Sequence, residues 1–287
     1  MRTTKTGWEV TLERRGAEND YSGFRRASPS AAAQKSGSRA DGVARGHLAR
    51  GGASSARDAT RYTGNERMCY RDGRSIAEAV QIITSVAPDV VTVNEVCEDD
   101  MVELAAALGG TTNVHFEPIR NSRTEEVVRC ADGEPSGDAV LLSPAHPLRA
   151  ESSGGFSTEN TPNQARVFTC VQAGTDDSVF YACATHLSLN NDTSVNQCRE
   201  LMTEIVPAFR TATGVAAPVV VGGDFNLRDT GGRTAQECLP DATYVRSDDG
   251  EVQNVVAESP FRLGGTEVLP MQQTDHPALV VRLDAPW

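Results

Sequence analysis

Six short runs of the sequence are apolar along almost their whole length: "DVVTVNEV", "DAVLLS", "RVFTCVQA", "SVFYACATHLS", "VVVGGD" and "HPALVVRL". None alternates apolar with polar residues, so each suits a strand covered on both faces. The turn "GTDD" joins the third and fourth as a hairpin, and a further strand is expected over 251–257. Between the runs lie helical patterns. "RSIAEAVQIITSV" sets Ile76, Val80, Ile83 and Val86 near helical spacing, which predicts a helix over 74–86 that Pro88 ends. "DDMVELAAALG" opens on acidic residues and stops at glycine, and "SVNQCRELMTEIVPAFR" carries Val195, Leu201, Ile205 and Phe209 on or near one face. Helices and strands interleave without strict β-α-β alternation. That order predicts an α/β (α+β) fold in which two sheets pack face to face with helices outside. Aromatic residues make up only 5%, so the core must be built from Val, Leu, Ile and Ala.

The first 60 residues differ from the rest. "SPSAAAQKSGSRADGVARGHLARGGASSARDA" is rich in Ala, Gly, Ser and Arg without apolar periodicity, the composition of a disordered tail. The start "MRTTKTGWEVTLERR" lacks the apolar stretch of a signal peptide. The expected division is therefore a tail over 1–60 and a folded domain over 61–287. The chain's net charge of −12 divides the same way: residues 1–60 hold eleven Lys/Arg and six Asp/Glu, the remainder 16 and 33. An acidic body argues against sequence-blind binding of a polyanion by charge alone. It is compatible with a hydrolase that recruits a divalent cation to meet a phosphate. No apolar run approaches the roughly 18 residues of a membrane span.

Seven cysteines (Cys69, Cys97, Cys130, Cys170, Cys183, Cys198 and Cys238) occur without any CxxC pair, which argues against a zinc cluster. The number favours an exported, disulfide-bearing protein, with ordinary buried cysteines in a cytoplasmic one as the alternative. Cys170 and Cys183 lie in the two strands of the "GTDD" hairpin and are the pair expected to bridge.

Several strands carry a titratable or metal-capable residue at or beside one end. Glu95 follows "VVTVN", His186 follows "YACAT", Asp224 and Asn226 follow "VVVGG", and Asp275 with His276 precedes the last run. Singly, each has an ordinary use: a cap, a core histidine, an Asx turn at Asp224. Together they make a set of oxygens and imidazoles at strand ends, where α/β-type sheets place ligand sites. Hard carboxylate oxygens suit Mg²⁺, Mn²⁺ or Ca²⁺.

Taken in order, "VNEV", "ATHLS", "GGDFN" and "TDHPALVV" resemble the endonuclease/exonuclease/phosphatase superfamily of deoxyribonuclease-I-like hydrolases, over about 65 to 287. The resemblance implies a four-layer α/β sandwich with a metal at one sheet edge. It implies that Glu95 binds the divalent cation and that Asp224 orients or deprotonates the attacking water. Asn226 would hold that water or a phosphate oxygen, and His186 would donate to the phosphate. His276 would act at the scissile phosphate, oriented by Asp275. Asp138, in "GDAVLLS", stands where the family often has Asn and either contacts phosphate or caps its strand.

The sequence departs from the family pattern twice. Arg61 stands where the first strand should end in an Asn that helps hold the metal, so the sheet is expected to lack its usual first strand. Gln253 stands where many members carry a late Asp. Two functions follow from this. One is metal-dependent hydrolysis of a phosphate ester, most of all a phosphodiester in nucleic acid, phospholipid or inositol phosphate. The other is a catalytically impaired relative acting as a binding protein. No basic stripe with interleaved aromatics supports specific nucleic-acid readout. The resemblance and the cysteines together favour an extracellular monomer.

Overall fold

Cross-strand pairing of the apolar runs sets the architecture. A computed structural model of the chain describes residues 8–11, 73–110, 113–158, 163–230, 232–240 and 243–285, all within one unit. Strand β1 is Trp8–Thr11, followed by helix α1 (Arg74–Val86), β2 (Val90–Cys97) and α2 (Asp100–Ala107). Strands β3 (Val114–Pro118), β4 (Ser136–Leu142), β5 (Leu148–Gly155), β6 (Val167–Ala173) and β7 (Phe180–His186) come next. Helix α3 (Asn191–Glu200) then runs through a π turn (Leu201–Ile205) into α4 (Val206–Thr213). The wide turn stands just before Pro207, a residue with no N–H to donate inside a helix. The chain closes with β8 (Val219–Asp224), β9 (Tyr244–Asp248), β10 (Gln253–Glu258), β11 (Arg262–Leu269) and β12 (Ala278–Asp284).

Two six-stranded sheets result, ordered β11-β12-β1-β2-β4-β3 and β5-β6-β7-β8-β10-β9. Each holds one parallel pair, β1 with β12 and β7 with β8, and is otherwise antiparallel. Three apolar cores separate four layers. Val90, Val140, Ala182, Val220 and Leu279 fill the space between the sheets. Their neighbours Val91, Val93 and Leu141 face outward onto Ile76 and Ile83 of α1 and Leu104 of α2. Tyr181, Val219 and Val221 face outward onto Val195, Leu201, Val206 and Phe209 of α3 and α4. The expected four-layer sandwich is the fold.

The expectation that the first strand is missing is corrected. Trp8–Thr11 pairs in parallel with β12 and antiparallel with β2, so it sits inside its sheet. Trp, Val and Thr favour strands, and these four residues precede the low-complexity stretch with which composition grouped them. The strand holds no asparagine, so that departure from the family pattern stands. The rest of the expected 1–60 tail, the boundary at 61, Arg61 and Cys69 lie outside the described residues.

Three disulfides form. Cys170 and Cys183 are directly opposite in β6 and β7, with Cα atoms 4.1 Å apart, as expected from the hairpin. Cys97–Cys130 ties the end of β2 to the loop before β4, and Cys198–Cys238 ties α3 to a 3₁₀ turn at Ala235–Cys238. No helix among the described residues is long and apolar enough to cross a membrane.

Candidate active site

The site forms where strands of both sheets end. His186 and Asp224 are the last residues of the parallel strands β7 and β8 and lie in register. That register needs a glycine just before Asp224. Gly223 has φ +150°, and a Cβ there would stand 1.8 Å from the Thr185 carbonyl oxygen. The backbone then turns: Asp224 Oδ1 accepts the Asn226 N–H at 2.8 Å, and Asn226 takes φ +52°. The Asx turn is therefore present, and it leaves Asp224 Oδ2 for the site. Phe225, between the two polar residues, packs into the outer core, 1% exposed. The Asn226 amide donates to the Leu187 carbonyl at 2.9 Å, which ties the ends of β7 and β8 together.

From the other sheet, β2 contributes Asn94 and Glu95. Its pairing with β4 shifts between Val93 and Val96, a bulge, and Glu95 there has φ +55°. A non-glycine residue in that conformation costs of order 1–3 kcal/mol and persists only where its surroundings fix it. Asn94 Oδ1 accepts the Asp224 N–H at 3.1 Å, a bond from one sheet to the other. Asp138 Oδ1 accepts the Glu95 N–H at 3.1 Å. The Glu95 carboxylate lies 3.4 Å from His186 Nδ1 and 4.0 Å from Arg166 Nη1. Asp224 Oδ2 lies 3.7 Å from both His186 Nε2 and His276 Nε2. Asp275 Oδ1 is 4.0 Å from His276 Nε2, an ion-pair rather than a hydrogen-bond distance. Asp275 is the most exposed of the set, with 35% of its side chain accessible, whereas His276 has 10%.

The structure thus brings Glu95, His186, Asp224, Asp275 and His276 together, with Asn226 and Asp138 bracing them through backbone contacts. Three residues of the neighbourhood were assigned no role from the sequence. Arg166 is a single arginine immediately before an apolar strand, and Asn94 lies within "VNEV", where only Glu95 was singled out. Asp249, whose carboxyl is raised by burial with His276 opposing, sits in the β9–β10 turn.

Electrostatics here are dominated by burial. It raises Glu95 well above the usual carboxylate range; Arg166 opposes the shift, while Asp138, Asp224 and Asp275 add to it. Asp138 is pushed up to about 6, again by burial, against the pull of Asn94 and the Glu95 N–H. Asp224 is raised by burial, with His276 opposing. His186 is held well below its ordinary value by burial and then by Arg166 and His276. Both Glu95 carboxylate oxygens are buried without a hydrogen-bond partner among the described residues. Orphaned carboxylate oxygens, beside further carboxylates, are what a hard divalent cation requires.

Fold and site together define a four-layer α/β sandwich with an acid-rich, histidine-lined centre at its strand ends. The profile of the Endonuclease/Exonuclease/phosphatase family matches residues 64–276. The chain belongs to that family, a superfamily of phosphoester hydrolases whose enzymes generally use divalent metals. Among curated proteins none matches the sequence. Among solved structures, the human Nocturnin catalytic domain with bound sulfate is 17% identical with TM-score 0.55, covering 75% of this chain and 88% of that one. The Bacteroides thetaiotaomicron mannosyl-6-phosphatase is 10% identical with TM-score 0.52, covering 74% and 91%. Truncated Caenorhabditis elegans TDP2 is 16% identical with TM-score 0.51, covering 76% and 91%. At such identities these likenesses speak to the fold.

Proposed function

We propose that this chain is a divalent-metal-dependent hydrolase of phosphate esters, with phosphodiesters as its main substrates. The observation that carries the reading is the pair of orphaned, fully buried Glu95 oxygens facing His186 and Arg166. Glu95 would hold Mg²⁺, Mn²⁺ or Ca²⁺ through those oxygens. The cation supplies charge neutralisation and Lewis acidity at the phosphate.

This chain's own residues divide the remaining work. Asp224 takes the proton of the attacking water, and burial brings its basicity closer to neutral pH than that of an ordinary aspartate. Its backbone N–H is held by Asn94 and its Oδ1 by Asn226, so Oδ2 is aimed at the two imidazoles. His276, the more accessible histidine, donates to phosphate oxygens as charge develops there. His186, neutral and enclosed between Glu95 and Asp224, helps orient both and would donate its N–H to the phosphate. Arg166 adds a guanidinium suited to a tetrahedral anion. The three disulfides support an extracellular location. Of the departures behind the impaired-binder reading, β1 removes the missing first strand, while the absent asparagine and Gln253 stand.

Hydrolysis of bis-p-nitrophenyl phosphate tests the proposal. Activity should require Mg²⁺ or Mn²⁺ and disappear with a chelator. Metal-independent turnover, or none under any metal with plasmid DNA, single-stranded DNA, sphingomyelin and phosphoinositides also tried, would overturn it.

A further inference from the structure

Between the register pairs Val93–Ala139 and Val96–Gly137, β2 places two residues, Asn94 and Glu95, opposite one residue of β4, Asp138. This is a bulge, and bulges re-aim side chains near sites. Both bulge residues are held. Asn94 is tied to Asp224 of the other sheet, and Glu95 donates its N–H to Asp138 Oδ1. Asp138 is itself fixed from behind. A Cβ on the preceding Gly137 would stand 2.3 Å from the Glu117 carbonyl oxygen, so the chain is pressed against β3 at that point. Asp138 is fully buried, 0% exposed, which places it under the site rather than on its surface.

We propose that Asp138 is a positioning residue: its side-chain oxygen locks the left-handed bulge at Glu95 and thereby sets the affinity of the Glu95 carboxylate for a divalent cation. The inference rests on Glu95 as the cation-holding group, and it assigns Asp138 to the backbone of that group and not to the substrate. An oxygen acceptor is required at position 138; the charge is not.

The test is calorimetric titration of MnCl₂ into the full chain, with amide hydrogen exchange at Glu95 as a metal-free readout. Asp138→Asn keeps an acceptor and should bind Mn²⁺ within about fivefold of wild type, with the Glu95 amide still protected. Asp138→Leu keeps the shape without the acceptor. It should bind roughly 10- to 100-fold more weakly, the usual loss when a residue supporting a metal ligand is removed, and its Glu95 amide should exchange faster. If the Leu variant does not fold, Asp138→Ala takes its place with the same expectations. Wild-type affinity in Asp138→Leu, or equal weakening in the Asn and Leu variants, overturns the proposal. Glu95→Gln separates the two readings: if it binds Mn²⁺ as wild type does, Glu95 is not the cation-holding group, and the role of Asp138 falls with it.

Discussion

Replacing Asp138 by Asn should separate the electrostatic cost of the site from its geometry. Burial pushes the Asp138 carboxyl up to about 6 in the folded protein, against an ordinary value of 3.8. Below 3.8 both states are protonated and the residue costs nothing. Between 3.8 and 6 the unfolded chain releases a proton that the folded chain keeps, so stability falls as pH rises. Above 6 the folded carboxyl also ionises and the loss levels off. About two pKa units at about 1.4 kcal/mol each give a full penalty of roughly 3 kcal/mol, about half of it already present at pH 5.

Asn carries no charge and still offers an oxygen to the Glu95 N–H. In chelator, Asp138→Asn should therefore exceed wild type in stability by up to about 3 kcal/mol at pH 7.5, and by almost nothing near pH 3. At about 2–4 °C per kcal/mol for a domain of this size, the expected gap at pH 7.5 is roughly 6–12 °C in Tm. Calorimetric melts from pH 5 to 8 measure it. Excess Mg²⁺ should narrow the gap by stabilising the ionised wild-type site. A gap that is the same at every pH, or an Asn variant that melts lower at pH 7.5, would refute the reasoning.

Asp224→Asn or His276→Ala should lower kcat on bis-p-nitrophenyl phosphate by about 10²- to 10⁴-fold, the usual loss for a placed proton-transfer group, with unchanged circular dichroism. Glu95→Gln should raise the Mg²⁺ concentration needed for half-maximal rate; an unchanged titration removes Glu95 from the cation site. Replacing Cys170 and Cys183 by Ala should cost about 3 kcal/mol, from the 13-residue separation they close, and leave Mg²⁺ titrations unaltered. Replacing Cys97 and Cys130 should also weaken Mg²⁺ binding, because that bridge anchors β2 two residues beyond Glu95.

What the sequence made legible divides along the sheets. The six apolar runs became β2, β4, β6, β7, β8 and β12, and the strand expected over 251–257 became β10, so the interior strands apart from β1 were readable. The strands that escaped notice, besides β1, are β3, β5, β9 and β11, and these are the four edges of the two sheets. The reason is physical. Along β5 and β11, "LRAESSGG" and "RLGGTEVL", most residues are partly or fully exposed, so polar and glycine residues are tolerated and no periodic signal survives. At the site, residues inside short motifs were legible because a polar residue at the end of an apolar run is conspicuous. Arg166 and Asp249 were not, since each is one charged residue among many on an acidic chain. The contact of Asp138 with the Glu95 backbone was hidden for another reason: it depends on a bulge, and a one-residue register shift leaves no mark in composition or periodicity.

The charge balance of the centre bears on substrate as well as on metal. Among the described residues, Glu95, Asp138 and Asp224 share one guanidinium, that of Arg166, and His186 is kept neutral at physiological pH by burial. Buried charge of one sign is tolerated only when protons or counter-ions offset it. Burial first, and neighbouring carboxylates after it, shifts Glu95, Asp138 and Asp224 upward, which favours their protonated forms. An incoming phosphate diester would add another negative charge where Arg166 is already faced by Glu95. Under the proposed function, protons could offset the carboxylates alone, but only by disabling Asp224 as a base. A divalent cation at Glu95 would resolve both demands: it would let Asp224 ionise and give the phosphate a positive partner. Anionic substrates and cation would then be coupled. Phosphate-ester affinity should rise with Mg²⁺ occupancy, and by reciprocity Mg²⁺ affinity should rise with substrate.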